Sequence, residues 1–188
     1  MPNRIGTEEP REEAHITSDA FQQPLIILVS YHHKNTERVA QAIAETLGAR
    51  ILAPSDISDD DIQPTRLVGF GSGIYSAKHH PDLLALADRL QPIPGARAFL
   101  FSTFGAPKIA ATPSFIESNH SALRERLKAK GFEIVGEFAC PGHNTNSFLR
   151  FFGGLNKEHP NKEDLQRATV FARSLRGRGE SNEETAIP

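Results

Sequence analysis

The sequence predicts one α/β domain built on a doubly wound parallel sheet of five strands. Short apolar runs alternate with amphipathic stretches along the chain, which is the pattern of successive strand–helix units. Several of these runs are apolar at every position, as expected for strands that helices cover on both faces. The 188 residues suffice for one ordinary domain with a sizeable core and are too few for two comfortable ones.

The first strand–helix unit begins with the segment PLIILVS, a continuous apolar run that predicts a buried strand. The stretch that follows spaces its apolar residues along one face of a helix. Gly48 is placed to end that helix, because glycine readily adopts the left-handed conformation of a helix C-terminus. The apolar face consists of Val39, Ala40, Ile43, Ala44 and Leu47.

The later strands are predicted in ARILAP, RLVGFG, ARAFLFS and FEIVGEFA. Pro81 opens the helix after the third strand, because proline is favoured in a first helical turn. Gly131 ends the helix after the fourth strand, and the side chain of Asn161 caps a last helix.

The composition of each strand predicts its place in the sheet. Strands one, three and four are the most apolar, so they belong in the interior. Strand two is short, and Glu133 and Glu137 interrupt strand five, so both belong at edges. With right-handed crossovers, these positions favour the order 2-1-3-4-5. The ligand crevice of such a sheet lies beyond the carboxyl ends of strands one and three.

Three polar segments leave the interior strands at this crevice: SYHHKNT, GSGIYSAKHH and STFGAPKIAATPS. The first runs directly into a helix, whose N-terminus offers free backbone N–H groups and positive dipole charge to a phosphate. Asn35 and Thr36 add side-chain donors, and His32, His33 and Lys34 can add positive charge. The sequence therefore predicts an anion site after strand one.

Between Pro24 and Leu175 the chain resembles the flavodoxin family. LVSYHHKNTERVAQAIAETL is similar to the phosphate loop of flavodoxins, and GFGSGIYSAKHH resembles their second flavin-contacting loop. FACPGHNTNSFLRFFGGLNKEHPNKEDL resembles the exit of strand five in a flavodoxin-like branch of uncertain physiological role. The resemblance implies a flavodoxin-like fold that binds FMN, with the flavin supplying the redox chemistry.

The resemblance also implies which residues contact FMN. The phosphate would be bound by the first segment, with residues Ser30, Tyr31, His32, His33, Lys34, Asn35 and Thr36. One side of the flavin ring would be bordered by Ser72, Gly73, Ile74 and Tyr75. The other side would be bordered by Ser102, Thr103, Phe104 and Gly105.

The chain departs from the family at several of these positions. Flavodoxins usually bring several hydroxyls and a glycine to the phosphate loop, where this chain has His32, His33 and Lys34. Many flavodoxins are strongly acidic and place a tryptophan on the flavin, whereas this chain has a net charge of -2 and no tryptophan. Tyr75 and Phe104 are the candidate aromatic residues for the flavin.

Composition limits the alternatives. A net charge of -2 gives no support for a nucleic-acid or membrane-surface partner, and no apolar run is long enough to span a membrane.

The single Cys140 cannot form an internal disulfide, which favours a cytoplasmic protein with an inert core thiol. No metal site is expected, because the side chains of His32 and His33 point apart on an extended loop. His79 and His80 are interpreted as a solvated helix start.

These observations predict three regions and a redox function. Residues 1–20 are expected to be a disordered extension, 24–175 the domain and 176–188 a disordered tail. The protein is expected to bind FMN and to pass electrons from a reductase or NAD(P)H to a protein or quinone-like acceptor. Whether it is a carrier or an FMN-dependent oxidoreductase stays open, with Phe148, Phe151 and Phe152 as candidates for a partner pocket. The alternative is a flavin-free binding or scaffold module.

Overall fold

The computed structural model describes residues 23–31, 33–62, 65, 67–145 and 154–180. The elements in chain order are β1 (Leu25–Val29), α1 (Asn35–Leu47), β2 (Arg50–Leu52), α2 (Asp59–Ile62), β3 (Leu67–Tyr75), β4 (Lys78–His79), α3 (Pro81–Arg89), β5 (Arg97–Phe104), α4 (Pro113–Ala129), β6 (Glu133–Pro141) and α5 (Lys162–Glu180). The predicted extension 1–20 and residues 181–188 of the predicted tail lie outside the described residues. Helix α5 continues past the predicted domain end at Leu175.

The parallel strands form one sheet in the order β2-β1-β3-β5-β6. Counted without the short strand β4, this is the predicted order 2-1-3-4-5, so the fold class is confirmed. β6, which carries Glu133 and Glu137, lies at an edge as expected. Strand β4 was not predicted, and it pairs antiparallel with the end of β3.

The β3–β4 hairpin closes through a two-residue turn at Ser76 and Ala77. Their φ angles are 49° and 60°, and both are positive, as a tight primed hairpin turn requires. Asn-Gly or Asp-Gly usually marks such a turn, and Ser-Ala does not. The predicted second flavin-contacting loop is therefore largely a strand end and a hairpin.

The helix ends follow the predicted signals. Gly48 has a φ of 70° at the end of α1, and its N–H donates to the carbonyl of Ala44. Pro81 opens α3. Asn161 Oδ1 accepts from the N–H of Asp164, while the Asp164 carboxylate accepts from the N–H of Asn161. This reciprocal pair anchors the start of α5.

Each face of the sheet has its own apolar core. In β1, Leu25, Ile27 and Val29 pack with α3 and α4, whereas Ile26 packs with α1 and α5. Alternate side chains of a strand point to opposite faces, so a run that is buried on both faces must be apolar throughout. None of the described helices is long and apolar enough to cross a membrane.

Candidate functional site

A cleft opens at the carboxyl ends of β1, β3 and β5, where the sequence predicted a crevice. It offers about 580 Å³ when its open mouth is counted, and only a small part is enclosed. All three predicted segments contribute to its walls. The predicted residues that line it are Ser30, Tyr31, His33, Asn35, Thr36, Gly73, Ile74, Tyr75, Thr103, Phe104 and Gly105.

The start of α1 forms one end of the cleft. Lys34 precedes the helix with a φ of 52° and makes no side-chain cap. The hydroxyl of Ser30 accepts from the N–H of Glu37 at 3.2 Å, which satisfies one of the donors of the first turn. Asn35 and Thr36 occupy the first two helical positions, where backbone N–H groups have no intrahelical acceptor. This end of the cleft is suited to an anion.

Two buried hydroxyls meet at the floor of this end. Thr36 Oγ1 and Thr103 Oγ1 lie 2.8 Å apart, and both residues are buried. Each hydroxyl has one proton, and their mutual hydrogen bond uses one of the two. The pair therefore keeps one proton that can be donated to a ligand.

The segment 142–145 follows β6 at the far edge of the sheet and covers the same end of the cleft, and it was not among the predicted site residues. Asn35 Nδ2 donates to the carbonyl of His143 at 2.8 Å, and His33 Nε2 lies 2.8 Å from Thr145 Oγ1. The rings of His33 and His143 are 4.4 Å apart. Its place in the chain could have indicated this role, because the polar residues directly follow β6 and so lie at the carboxyl edge of the sheet. We call residues 142–145 the cover segment.

Tyr31 and Tyr75 also line the cleft, and the ring of His80 contacts both of them; we call these three residues the aromatic wall. The His80 ring lies 5.2 Å from that of Tyr31 and 5.3 Å from that of Tyr75. Tyr31 is 64% exposed, and its hydroxyl donates to Asp82 at 3.2 Å, which raises the pKa of Tyr31. Tyr31 was predicted at the phosphate, but its side chain turns toward α3 instead. Burial raises the pKa of Tyr75.

The two predicted aromatic candidates differ in position. Phe104 lines the cleft from beneath, but it is 2% exposed and packs edge-on against Phe115 at 5.2 Å. The Tyr75 ring lies over Gly73, where an added Cβ would meet it at 3.1 Å. Tyr75 is therefore the aromatic candidate that a ligand can meet.

Three of the predicted site residues do not reach the cleft. Ser72 and Ser102 are buried and point to the other face of the sheet, because they alternate with Gly73 and Thr103 along their strands. Lys34 is directed to Glu37 at 3.2 Å and is 72% exposed. His32, Phe148, Phe151 and Phe152 lie outside the described residues.

His79 was predicted to be solvated, and this was wrong. It is 1% exposed, because the unpredicted hairpin folds it beneath the end of β3, and its Nδ1 lies 2.9 Å from Ser72 Oγ. His120 of α4 is equally buried, with Nε2 at 2.8 Å from Ser102 Oγ and Nδ1 at 3.0 Å from Glu137. A buried polar network therefore lies on the opposite face of the sheet from the Thr36–Thr103 pair.

The network ends at Glu137, which Arg124 also contacts. Burial raises the pKa of Glu137, but hydrogen bonds from Arg124 and His120 outweigh it and lower the pKa from 4.5 to about 2. Ser102, His120 and Glu137 are connected in the order of a nucleophilic triad. Ser102 is only 1% exposed, however, so no substrate reaches its hydroxyl. The network is structural rather than hydrolytic.

Cys140 lies in β6 and is fully buried, and burial raises the pKa of its thiol. A buried thiol of this kind is a poor nucleophile, as the sequence analysis expected. Within the described ranges, no three His, Cys, Asp or Glu side chains are grouped to hold a metal ion.

The sheet order, and a cleft at the switch point between β1 and β3, define a protein of the flavodoxin-like class. No family model matches the chain. Flavodoxin 2 from Bacillus cereus has a TM-score of 0.59, with 15% identity over 83% of this chain and 99% of that chain. A Fusobacterium nucleatum flavodoxin bound to flavin mononucleotide has a TM-score of 0.57, with 13% identity over 84% of this chain and 99% of that chain. The predicted fold is confirmed.

The chain belongs to the same family as an uncharacterized protein of Methanocaldococcus jannaschii. The two are 45% identical over 152 residues, which cover 80% of this chain and 96% of the archaeal protein.

Proposed function

We propose that the protein binds FMN in the cleft and transfers electrons in the cytoplasm between a reductase or NAD(P)H and a protein or quinone-like acceptor. The observation that carries the proposal is the convergence of an anion site and an aromatic wall in one cleft. The flavodoxin with bound flavin mononucleotide among the structural neighbours supports the choice of cofactor. When bound, FMN supplies the redox chemistry, and the protein positions the ring and tunes its surroundings.

The phosphate would be held at the start of α1. The backbone N–H groups of Asn35 and Thr36, the helix dipole and the spare proton of the Thr36–Thr103 pair are donors suited to a phosphate. The side-chain amide of Asn35 donates to the carbonyl of His143 in the cover segment, which leaves the backbone N–H of Asn35 to donate to the phosphate. His33 lines the same end.

The flavin ring would lie toward the aromatic wall. Ile74 and Tyr75 border the cleft from β3, and Gly105 borders it from the end of β5. Apolar and aromatic surfaces of this kind exclude water from a planar ring, while the polar end fixes its orientation.

A carrier is favoured over an enzyme by the open side of the cleft. Tyr31 lines the cleft and is 64% exposed, so a partner protein can reach the edge of the cleft at this aromatic side chain. Rapid reduction by a flavodoxin reductase, without turnover of NAD(P)H and quinone, is the expected kinetic result.

The first test is a titration of the flavin-free protein with FMN, followed by flavin fluorescence. We expect saturable binding by the wild type and about tenfold weaker binding by the double variant Thr36→Val, Thr103→Val, which removes both hydroxyls and their spare proton while keeping the side-chain shapes. Thr46→Val is the matched control, because Thr46 lies in the same helix, does not line the cleft and donates to the carbonyl of Ala42. Absence of FMN binding by the wild type would refute the proposal.

The second candidate is a flavin-free binding module. It is favoured by the cover segment, whose contacts with Asn35 and His33 already narrow the anion end of the cleft. This candidate predicts a colourless protein after purification with excess FMN and no calorimetric signal on adding FMN.

A further inference from the structure

Two serines on neighbouring strands form a matched pair beneath the cleft. Ser72 of β3 and Ser102 of β5 are register partners, and each contacts one buried histidine. The rings of the two histidines, His79 and His120, are in contact, with their centroids 4.7 Å apart and their planes tilted by 41°. Among the described residues, the Ser72 hydroxyl contacts the backbone of Gly73 and His80, whereas the Ser102 hydroxyl contacts the side chain of His120.

The Ser72 hydroxyl has three polar neighbours among the described residues. It accepts from the backbone N–H of His80 at 3.0 Å, and it lies 2.9 Å from His79 Nδ1 and 2.8 Å from the carbonyl of Gly73. A hydroxyl has one proton, so Ser72 donates either to Gly73 or to His79, and not to both. The protonation of His79 decides which.

His79 satisfies all three contacts in only one neutral form. If Nδ1 carries the proton, His79 donates to Ser72 and Ser72 donates to Gly73. If Nε2 carries it, the Gly73 contact is lost and a buried N–H is left alone, because Nε2 has no hydrogen-bond partner among the described residues. The hydrogen-bond count therefore favours the Nδ1–H form.

Burial, more than neighbouring charge, keeps His79 neutral. Burial lowers the pKa of His79 well below its ordinary value, and the neighbouring His120 lowers it further. Glu137 acts in the opposite direction and does not outweigh them. Arg124, which faces the network from α4, is paired with Glu137.

We propose that Ser72 and the Nδ1–H form of His79 make a clamp that positions the aromatic wall of the cleft. Ser72 joins the carbonyl of Gly73, two residues before Tyr75 on β3, to the N–H of His80 after β4. The clamp thus ties together the two backbone segments from which Tyr75 and His80 project. The identity of the ligand at this wall, FMN, rests on the proposed function, whereas the clamp itself does not depend on it.

The test uses the tyrosines of the flavin-free full chain. The chain has two tyrosines and no tryptophan, and both tyrosines, Tyr31 and Tyr75, belong to the wall. Near-ultraviolet circular dichroism in the tyrosine band therefore reports on the wall without any ligand. We expect Ser72→Ala to lose about half of this signal or more, because the clamp holds one of the two tyrosines. Ser102→Ala, the matched control, should leave it unchanged.

Variants of His79 separate a positioning role from packing alone. His79→Asn keeps a donor near the place of Nδ1 and should retain the tyrosine signal, whereas His79→Leu should lose it as Ser72→Ala does. If Ser72→Ala and Ser102→Ala change the signal equally, the clamp is refuted. The same holds if His79→Asn behaves like His79→Leu.

Nitrogen-15 NMR of the wild-type imidazoles decides the proton assignment even if Ser72→Ala does not fold. Neutral His79 with the proton on Nδ1 is expected, and a proton on Nε2 would overturn the clamp. In the FMN titration, Ser72→Ala should bind about tenfold more weakly than Ser102→Ala. A wild type that binds no FMN would refute the proposed function, while the tyrosine and NMR results would still decide the clamp.

Discussion

Glu137 offers the sharpest test of the buried network. Its carboxylate accepts hydrogen bonds from Arg124 and lies 3.0 Å from His120 Nδ1. Burial raises the pKa of Glu137, but these partners hold it at about 2 in the folded protein, against 4.5 for an ordinary glutamate. A lowered folded pKa means that ionised Glu137 stabilises the fold above pH 4.5, and that this stability is lost as the pH falls toward 2.

The perturbation is Glu137→Gln, which removes the charge and keeps the shape. A pKa difference of this size corresponds to about 3 kcal/mol of unfolding free energy. The Glu137 side chain is 20% exposed, so screening by solvent reduces the expected loss at pH 7. We expect about 2 kcal/mol, or a fall in Tm of roughly 4–8 °C.

Urea denaturation at pH 7 and pH 3 measures this effect. At about pH 3 less than half of the difference between wild type and Glu137→Gln should remain, because folded Glu137 is then close to its own titration. Glu133→Gln is the matched control, since Glu133 is exposed on the same strand and should cost less than about 0.5 kcal/mol. Equal losses at both pH values, or equal losses in the two variants, would show that ionised Glu137 does not stabilise the network.

Three further changes test the fold. Gly71→Ala should cost about 3 kcal/mol in urea denaturation, because a Cβ there would collide with the Phe101 ring; a cost below about 0.5 kcal/mol would contradict this packing. Ala77→Gly should raise the free energy of unfolding by about 1 kcal/mol, and the Tm with it, because Ala77 has a φ of 60° that glycine adopts without strain; an unchanged or lower Tm would argue against the tight turn. Asp164→Asn should cost about 2 kcal/mol, because the buried carboxylate accepts from the N–H of Asn161 and contacts His159 and Arg167, and asparagine keeps one acceptor oxygen for them; calorimetry at neutral pH checks this, and an unchanged stability would refute the role of the carboxylate.

The sequence predicted much of the candidate site, but not the direction of every side chain. Residues of all three predicted segments line the cleft, because interior strands of a parallel sheet end at one edge. Ser72 and Ser102 were included with them and point away. A run that is apolar on both faces shows no alternation, so it does not reveal which face each small polar residue takes.

The β3–β4 hairpin and the position of the cover segment could not be predicted from the local sequence pattern either. Ser76 and Ala77 carry no strong turn signal, so the burial of His79 beneath β3 could not be predicted. The cover segment follows the edge strand β6, whereas α1 follows β1, and strands β3 and β5 lie between these two strands in the sheet; the cover segment nevertheless contacts the start of α1. Its place on the cleft depends on contacts between residues that are far apart in the chain.

The sequence by itself determined the five parallel strands, their order and the helix ends named above, because apolar periodicity and the backbone preferences of glycine, proline and asparagine act locally. The tertiary structure alone decided which side chains face the cleft and which form the buried network. That choice depends on strand register and on packing across the sheet, where a shift of one residue moves a side chain to the opposite face.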